Sequence, residues 1–246
     1  MSFRLLICLV ALGLAIAPLA EADETVTPGQ KTAIEQIIHD YILEHPELVI
    51  QALQSAESKA KTVAEERVRA TLVEKRKELL DDPTSPIAGN PSGDVTIVEF
   101  FDYRCPYCKQ VEPSLEALLR EDRQIRIVYK EFPILGKDSV YATRVALAAR
   151  KQAKYDTFHA AMMVAKGQID ENAVLKIAAS AGLDVDRVKA DMKSPEIDDI
   201  IRRNFELAQA LDIRGTPAFI IGGEMVPGAI DIATMKQKIA AARKAG

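Results

Sequence analysis

The stretch Val95–Lys109, VTIVEFFDYRCPYCK, constrains this chain more than any other. Val95 to Phe101 is an apolar, β-branched and aromatic run, as a strand covered on both faces requires. It turns through Asp102–Arg104 into a helix opening at Cys105. Pro106 suits the first helical position, because its missing N–H would have had no intrahelical partner. Cys105 and Cys108 are three residues apart and share one face of that helix. One thiol therefore sits at the positive helix end, where free N–H groups and the macrodipole favour a thiolate. The spacing predicts Cys105 as the exposed, acidified nucleophile and Cys108, one turn inside, as the buried resolving thiol.

A structural disulfide or half a zinc site are the competing uses of such a pair. Zinc usually takes four ligands, and beyond Cys8 the chain offers no other Cys and only His39, His45 and His159, none paired at ligand spacing. Neither a metal nor a cofactor is expected. With 246 residues, 48% hydrophobic and 28% charged, the chain has room for one sizeable domain and an appendage. Its net charge of −4 argues against nucleic-acid or anionic-membrane partners. Arg4, the apolar run Leu5–Leu19 and the small residues after it read as a signal peptide over residues 1–22, cleaved after Ala20 or Ala22. The run is short for a membrane span, and Cys8 lies too deep in it for a lipid anchor. The mature chain then enters an oxidising compartment with both its cysteines in the C-x-x-C.

Residues 21–30 are polar and are expected to lie outside the fold. Helical spacing begins at Lys31 with Ile34, Ile37, Ile38, Tyr41 and Ile42, and breaks at His45-Pro46. Pro46 opens a second helix that the pattern carries to about Leu80, with Val49, Leu53, Ala56, Ala60 and Val63 on a narrow apolar stripe. A stripe this narrow makes no core of its own. Residues 31–80 are thus expected either to dock on their own domain or to self-associate as a helical oligomerisation module. Residues 81–94, with three prolines and two glycines, are expected to be a linker.

The catalytic domain is expected at 95–246. A helix from Pro106 continues through Pro113, and Ile125–Phe132 is a second strand with Ile125, Ile127 and Tyr129 on one face. Residues 137–211 read as a helical insertion, with Asp170 as an N-cap and Gly182 past a helix end. Ala218–Ile221 is a strand, Gly222-Gly223 a hairpin turn, and Asp231 begins the last helix. The order β-α-β, helical insert, β-β-α gives the fold class: α/β, a thioredoxin fold with a central helical insertion, preceded by an N-terminal α-helical stalk.

FDYRCPYCK, GTPAF and the interposed helical block together resemble the DsbA-like family of exported thiol–disulfide oxidoreductases. HPELVIQALQ ahead of DPTSPIAGNPSGDVTIVEFFDY is similar to the suppressor-of-copper-sensitivity C branch, with its N-terminal helical module. The resemblance implies a periplasmic enzyme with a redox-active Cys105–Cys108 disulfide, protein clients bearing cysteines, and a membrane redox partner. It implies a cis bond at Thr216-Pro217 against the disulfide, where Thr216 offers extended backbone to a client strand, and Gly215 would allow the close approach. Pro106 and Tyr107 join the substrate-binding surface, and Tyr107 tunes the thiolate. Such thiols span pKa values from about 3.5 to about 7, and Pro-Tyr is expected toward the acidic end.

Glu99 stands where relatives keep a buried acid. Buried, its carboxyl titrates high and could relay the proton of Cys108. Otherwise it faces solvent at a strand edge or pairs with Lys130. Three functions are consistent with these residues: an oligomeric disulfide isomerase or reductase, favoured because of the stalk; a monomeric dithiol oxidase; and a copper(I)-binding or chaperone-like protein using the two soft thiolates.

Overall fold

The computed structural model describes residues 26–245; the expected signal peptide, with Cys8, lies outside them. The chain divides into two compact units, residues 1–59 and 60–246. In the first, α1 (Pro28–Glu44) starts earlier than its apolar spacing suggests, because Thr27 and Gln30 form a reciprocal capping box with Pro28 at the first position. Residues 28–30, expected outside the fold, therefore belong to the helix. His45, whose ring lies tilted against Tyr41 with centroids 4.5 Å apart, separates α1 from α2 (Pro46–Glu74). No residue of α1 is buried, and Ile34, Ile37, Ile38, Tyr41, Leu48, Val49 and Leu53 are all exposed.

The second unit holds α3 (Arg76–Leu80), β1 (Ile87–Gly89), β2 (Val95–Phe101), α4 (Pro106–Glu121) and β3 (Ile125–Glu131). The helices α5 (Lys137–Arg150), α6 (Tyr155–Val164), α7 (Glu171–Ser180), α8 (Val185–Asp191) and α9 (Pro195–Ala210) follow. β4 (Ala218–Ile221), β5 (Glu224–Pro227) and α10 (Ile232–Ala245) complete it. The sheet runs β1-β3-β2-β4-β5, with β2 and β3 parallel and the other pairs antiparallel. This is a thioredoxin-type sheet interrupted by a helical insert.

Alternation along β2 divides the core, as strand geometry requires. Ile97 and Phe101 pack with α4, α6 and α10 through Val111, Leu115, Phe158, Met235 and Ile239. Val98 and Phe100 pack on the opposite face with Leu207 and Leu211. That second face corrects two expectations. Leu72 and Leu79, placed by sequence in the oligomerisation module, are buried in the core of this unit. Residues 81–94 are not a free linker, because β1 pairs antiparallel with β3. Their Pro and Gly content reflects tight turns, as at Gly93, where an added Cβ would lie 2.4 Å from the carbonyl oxygen of Gln124.

A buried cation fastens this segment. Lys130 Nζ donates to Glu78 O at 2.6 Å, Ser85 Oγ at 2.7 Å and Asp82 Oδ2 at 3.2 Å. Burial opposes ionisation of Asp82, yet hydrogen bonds from Thr84, the Lys130 charge and the Ser85 hydroxyl bring its pKa down to about 2. We expect Asp82→Asn to destabilise the protein by roughly 1–2 kcal/mol at pH 7, a value kept low because the carboxylate is only half enclosed. A carboxylate with a depressed folded pKa stabilises above its unfolded value and loses that contribution as pH falls through the folded one. The wild-type advantage in urea denaturation should therefore be complete at pH 6 and vanish between pH 3.8 and about 2.

Candidate active site

The turn from β2 into α4 is held by one buried side chain. Asp102 Oδ1 accepts from Arg104 N at 2.8 Å, and Oδ2 accepts from Leu135 N at 3.0 Å, tying the turn to the segment after β3. Cys105 N donates to Asp102 O at 3.0 Å, placing Cys105 as the N-cap with Pro106 first in the helix. The helix continues through Pro113. Lys109 Nζ donates to Met162 O at 3.0 Å and Ala165 O at 2.6 Å, fixing the end of α6 beside the cysteines.

Cys105 and Cys108 are free thiols. Cys105 was expected to be exposed, but its residual exposure is only 4%. The cause is the loop before β4: Cys105 Sγ donates to Thr216 O at 3.2 Å, and the Thr216–Pro217 peptide bond is cis. Pro106 and Tyr107 are exposed on the surface beside the thiol. Gly215 does not serve close approach, since a Cβ there would meet nothing within 4 Å.

The two thiols are displaced in opposite directions. A hydrogen bond from the Cys108 thiol acts most strongly on Cys105; burial opposes it, and hydrogen bonds from Thr216 and the backbone N–H groups of Cys108 and Tyr107 assist. The result is a pKa of about 5. Cys108 is fully buried and pushed far up, first by donating to Cys105, then by desolvation and the charge of Glu99.

Glu99 is fully buried, and neither carboxyl oxygen has a hydrogen-bond partner. Burial raises its pKa well above the ordinary carboxyl value, and the negative charges of Glu112, Cys105 and Glu131 add to this. β2 lies between β3 and β4, so Glu99 is not at a sheet edge. Nor does it pair with Lys130, which neighbours Phe100 in register and bonds to residues 78–85.

Sequence reasoning missed Tyr103, Glu112, Glu131 and His159, all buried behind the thiols. Two of them had a readable signal. Glu112 is four residues after Cys108 on the same helical face, and Glu131 continues the inward register of Ile127 and Tyr129. Tyr103 and His159 meet only through the tertiary fold, at 3.1 Å between Oη and Nδ1. Glu131 accepts from Tyr103 at 3.1 Å, Tyr155 at 2.9 Å and Thr143 at 2.7 Å. Burial outweighs these hydrogen bonds and lifts its pKa to about 8.

Residues 96–240 match the DSBA-like thioredoxin domain, and residues 30–62 match the copper resistance protein ScsC N-terminal domain. The chain is 31% identical over 144 residues to the thiol:disulfide interchange protein DsbA of Bordetella parapertussis, covering 56% of this chain and 68% of that protein. It also matches Na(+)/H(+) antiporter NhaA 3 of Salinispora tropica at 25% identity, but spans only 25% of that protein's length. Among solved structures, a thioredoxin-like oxidoreductase from Silicibacter pomeroyi DSS-3 is 44% identical with a TM-score of 0.68, covering 70% of this chain and 99% of that one. BcfH of Salmonella enterica Typhimurium is 26% identical with a TM-score of 0.73, covering 87% and 96%. The DSBA-like match runs over more than half of the chain and takes in the paired thiols at the start of α4, so this chain is a member of the DsbA-like thioredoxin-domain family.

Proposed function

We propose that the protein is a periplasmic disulfide isomerase and reductase that acts on exported clients through Cys105 and Cys108. The opposed environments of the two thiols carry this reading. The Cys105 thiolate attacks a client disulfide, forming the Cys105–client bond and releasing one client sulfur as thiolate. Release from this mixed disulfide takes one of two routes. Attack by another client sulfur returns free Cys105 and completes an isomerisation. Attack by Cys108, after losing its proton, forms the Cys105–Cys108 disulfide and leaves the client reduced. Glu99, buried and without a hydrogen-bond partner, is the acceptor we assign to that proton. Thr216 and Pro217, with Pro106 and Tyr107, form the docking surface for the client strand.

Isomerisation favours several sites acting on one client, because linked sites raise the local concentration for repeated attack. The exposed apolar residues of α1 and the first turns of α2 are the surface we assign to self-association. We assign this module to residues 31–59 rather than 31–80, because Leu72 and Leu79 are buried in the core of the second unit. Copper(I) is the second reading, favoured by the copper-resistance description of the N-terminal match. Copper(I) titration of the dithiol protein and of Cys105→Ser tests it; equal uptake by both removes the thiol pair as the ligand.

Alkylation of reduced protein by iodoacetamide should modify Cys105 alone, with a rate that falls as pH drops through about 5. Cys105→Ser should abolish exchange, and Cys108→Ala should accumulate client mixed disulfides. Preferential alkylation of Cys108 would reverse the assignment.

Deleting residues through 59 should leave a folded monomer by light scattering, still able to oxidise a reduced client but deficient in unscrambling a mispaired one at equal site concentration. A full-length protein that is monomeric would establish the oxidase reading instead. A cut at Asp82 should be markedly less stable than a cut at 59, because it removes Leu72 and Leu79 from the core.

A further inference from the structure

The end of α2 and the start of α3 do not close completely on the sheet they cover. The space between them is a cavity of about 480 Å³, all of it within the second unit. Small-molecule sites occupy roughly 300–1,000 Å³. Leu72, Leu79, Val95 and Ile220 line the cavity with apolar surface, and Arg69 and Arg76 complete its wall. Leu72, Leu79 and Ile220 belong to the core cluster on the sheet face opposite the thiols, so a ligand here does not meet Cys105. The β4–β5 turn helps to keep the space open. A Cβ at Gly222 would lie 2.4 Å from that of Ala242, so the turn leans on α10, whereas one at Gly223 would meet nothing within 4 Å.

The charges around this cavity are unmatched. Among the described residues neither Arg69 nor Arg76 has a hydrogen bond or an ion pair. Asp94 is the acidic residue of the lining, and Arg243 already holds its two oxygens at 2.8 and 2.9 Å. Beyond the turn a second cavity shares Arg69 and Leu72 but adds Glu65, Asp212 and Glu224 against Lys61, so the positive surplus belongs to the first. Two free guanidinium forks over an apolar floor suit a carboxylate or phosphate head joined to an apolar body.

The walls also say what form that body takes. β4 is paired with β2 on one side and β5 on the other, and α2, α3 and α10 supply most of the remaining wall. An extended peptide would find few open backbone groups here to pair with its own. A methylene chain needs none. We propose that this cavity binds an anionic single-chain amphiphile, with its head at Arg69 and Arg76 and its chain along Leu72, Leu79 and Ile220. A free fatty acid and a single-chain phosphate share this chemistry.

The experiment uses the full-length mature chain and calorimetric titration with laurate and with dodecyl phosphate, both below their micellar range. At least one should bind, and which one does identifies the source of the head group. Combining Arg69→Glu with Arg76→Glu should weaken binding by roughly tenfold or more and leave thiol exchange unchanged. Dodecyltrimethylammonium, with the same chain and the opposite charge, should not bind the cavity. The exposed apolar residues of α1 could also attract a chain, so a local reading accompanies the titration. The protein has no tryptophan. Val73 lines the cavity and is 73% exposed, while Val63, 64% exposed, lines neither cavity. Brominated laurate should quench the tryptophan of Val73→Trp and spare that of Val63→Trp. Affinity unchanged in the double arginine variant, equal quenching at both positions, or equal quenching by a brominated cationic amphiphile would overturn the proposal. Binding of an acidic apolar peptide with both amphiphiles excluded would also overturn it, in favour of a protein partner.

Discussion

The Cys105 sulfur is held between the free N–H groups that open α4 and the loop carrying Thr216. The first pull negative charge onto the sulfur; the second covers it and leaves little room for solvent. The rest of the catalytic unit serves this placement. The carboxylate of Asp102 fixes the turn that delivers the helix, β4 carries the Thr216 loop against β2, and Lys109 secures the insert beside the first helical turn. A helix start alone would acidify the thiol without shielding it, and a covering loop alone would raise its pKa through desolvation. Only the combination gives a thiolate that is both stable and shielded.

Much of this was legible in the sequence because local rules carried it. The strand-to-helix turn, the inward register of β3, the N-cap at Asp170 and the insert between β3 and β4 follow from periodicity, capping and turn chemistry. The placement of Cys105 at the helix start and Cys108 one turn inside followed from the sequence, but the degree of cover on Cys105 did not, since residues 105 and 216 meet only in the folded chain. Glu99 could be singled out as a charge in an apolar run, whereas Tyr103 and His159 are unremarkable residues until the fold makes them neighbours. Of the buried polar cluster, Glu112 and Glu131 follow a helix face and a strand register that a sequence shows, whereas its assembly from four segments has no such mark.

The N-terminal boundary was misread for a related reason. Proline and glycine density marks a break in helix, not a break in the domain. Here the turn-rich stretch supplies the edge strand β1, and the preceding helices supply Leu72 and Leu79 to the face of the sheet away from the thiols. The apolar stripe of the long helix thus serves two different environments along its length. One period in the sequence could not separate them.

The anchorage of Lys130 has a consequence for how this catalytic unit can be reused. Its ammonium is matched by a backbone carbonyl, a hydroxyl and a carboxylate, all from residues 78–85, so the segment before the first long strand neutralises a charge inside the domain. A chimera that joined a foreign stalk at the turn-rich stretch would inherit an orphaned ammonium beneath the sheet. The transferable module must carry α3 for the ammonium and, for Leu72, the end of α2 as well, so the natural point of exchange lies within a continuous helix, where a graft has to preserve helical phase rather than merely linker length.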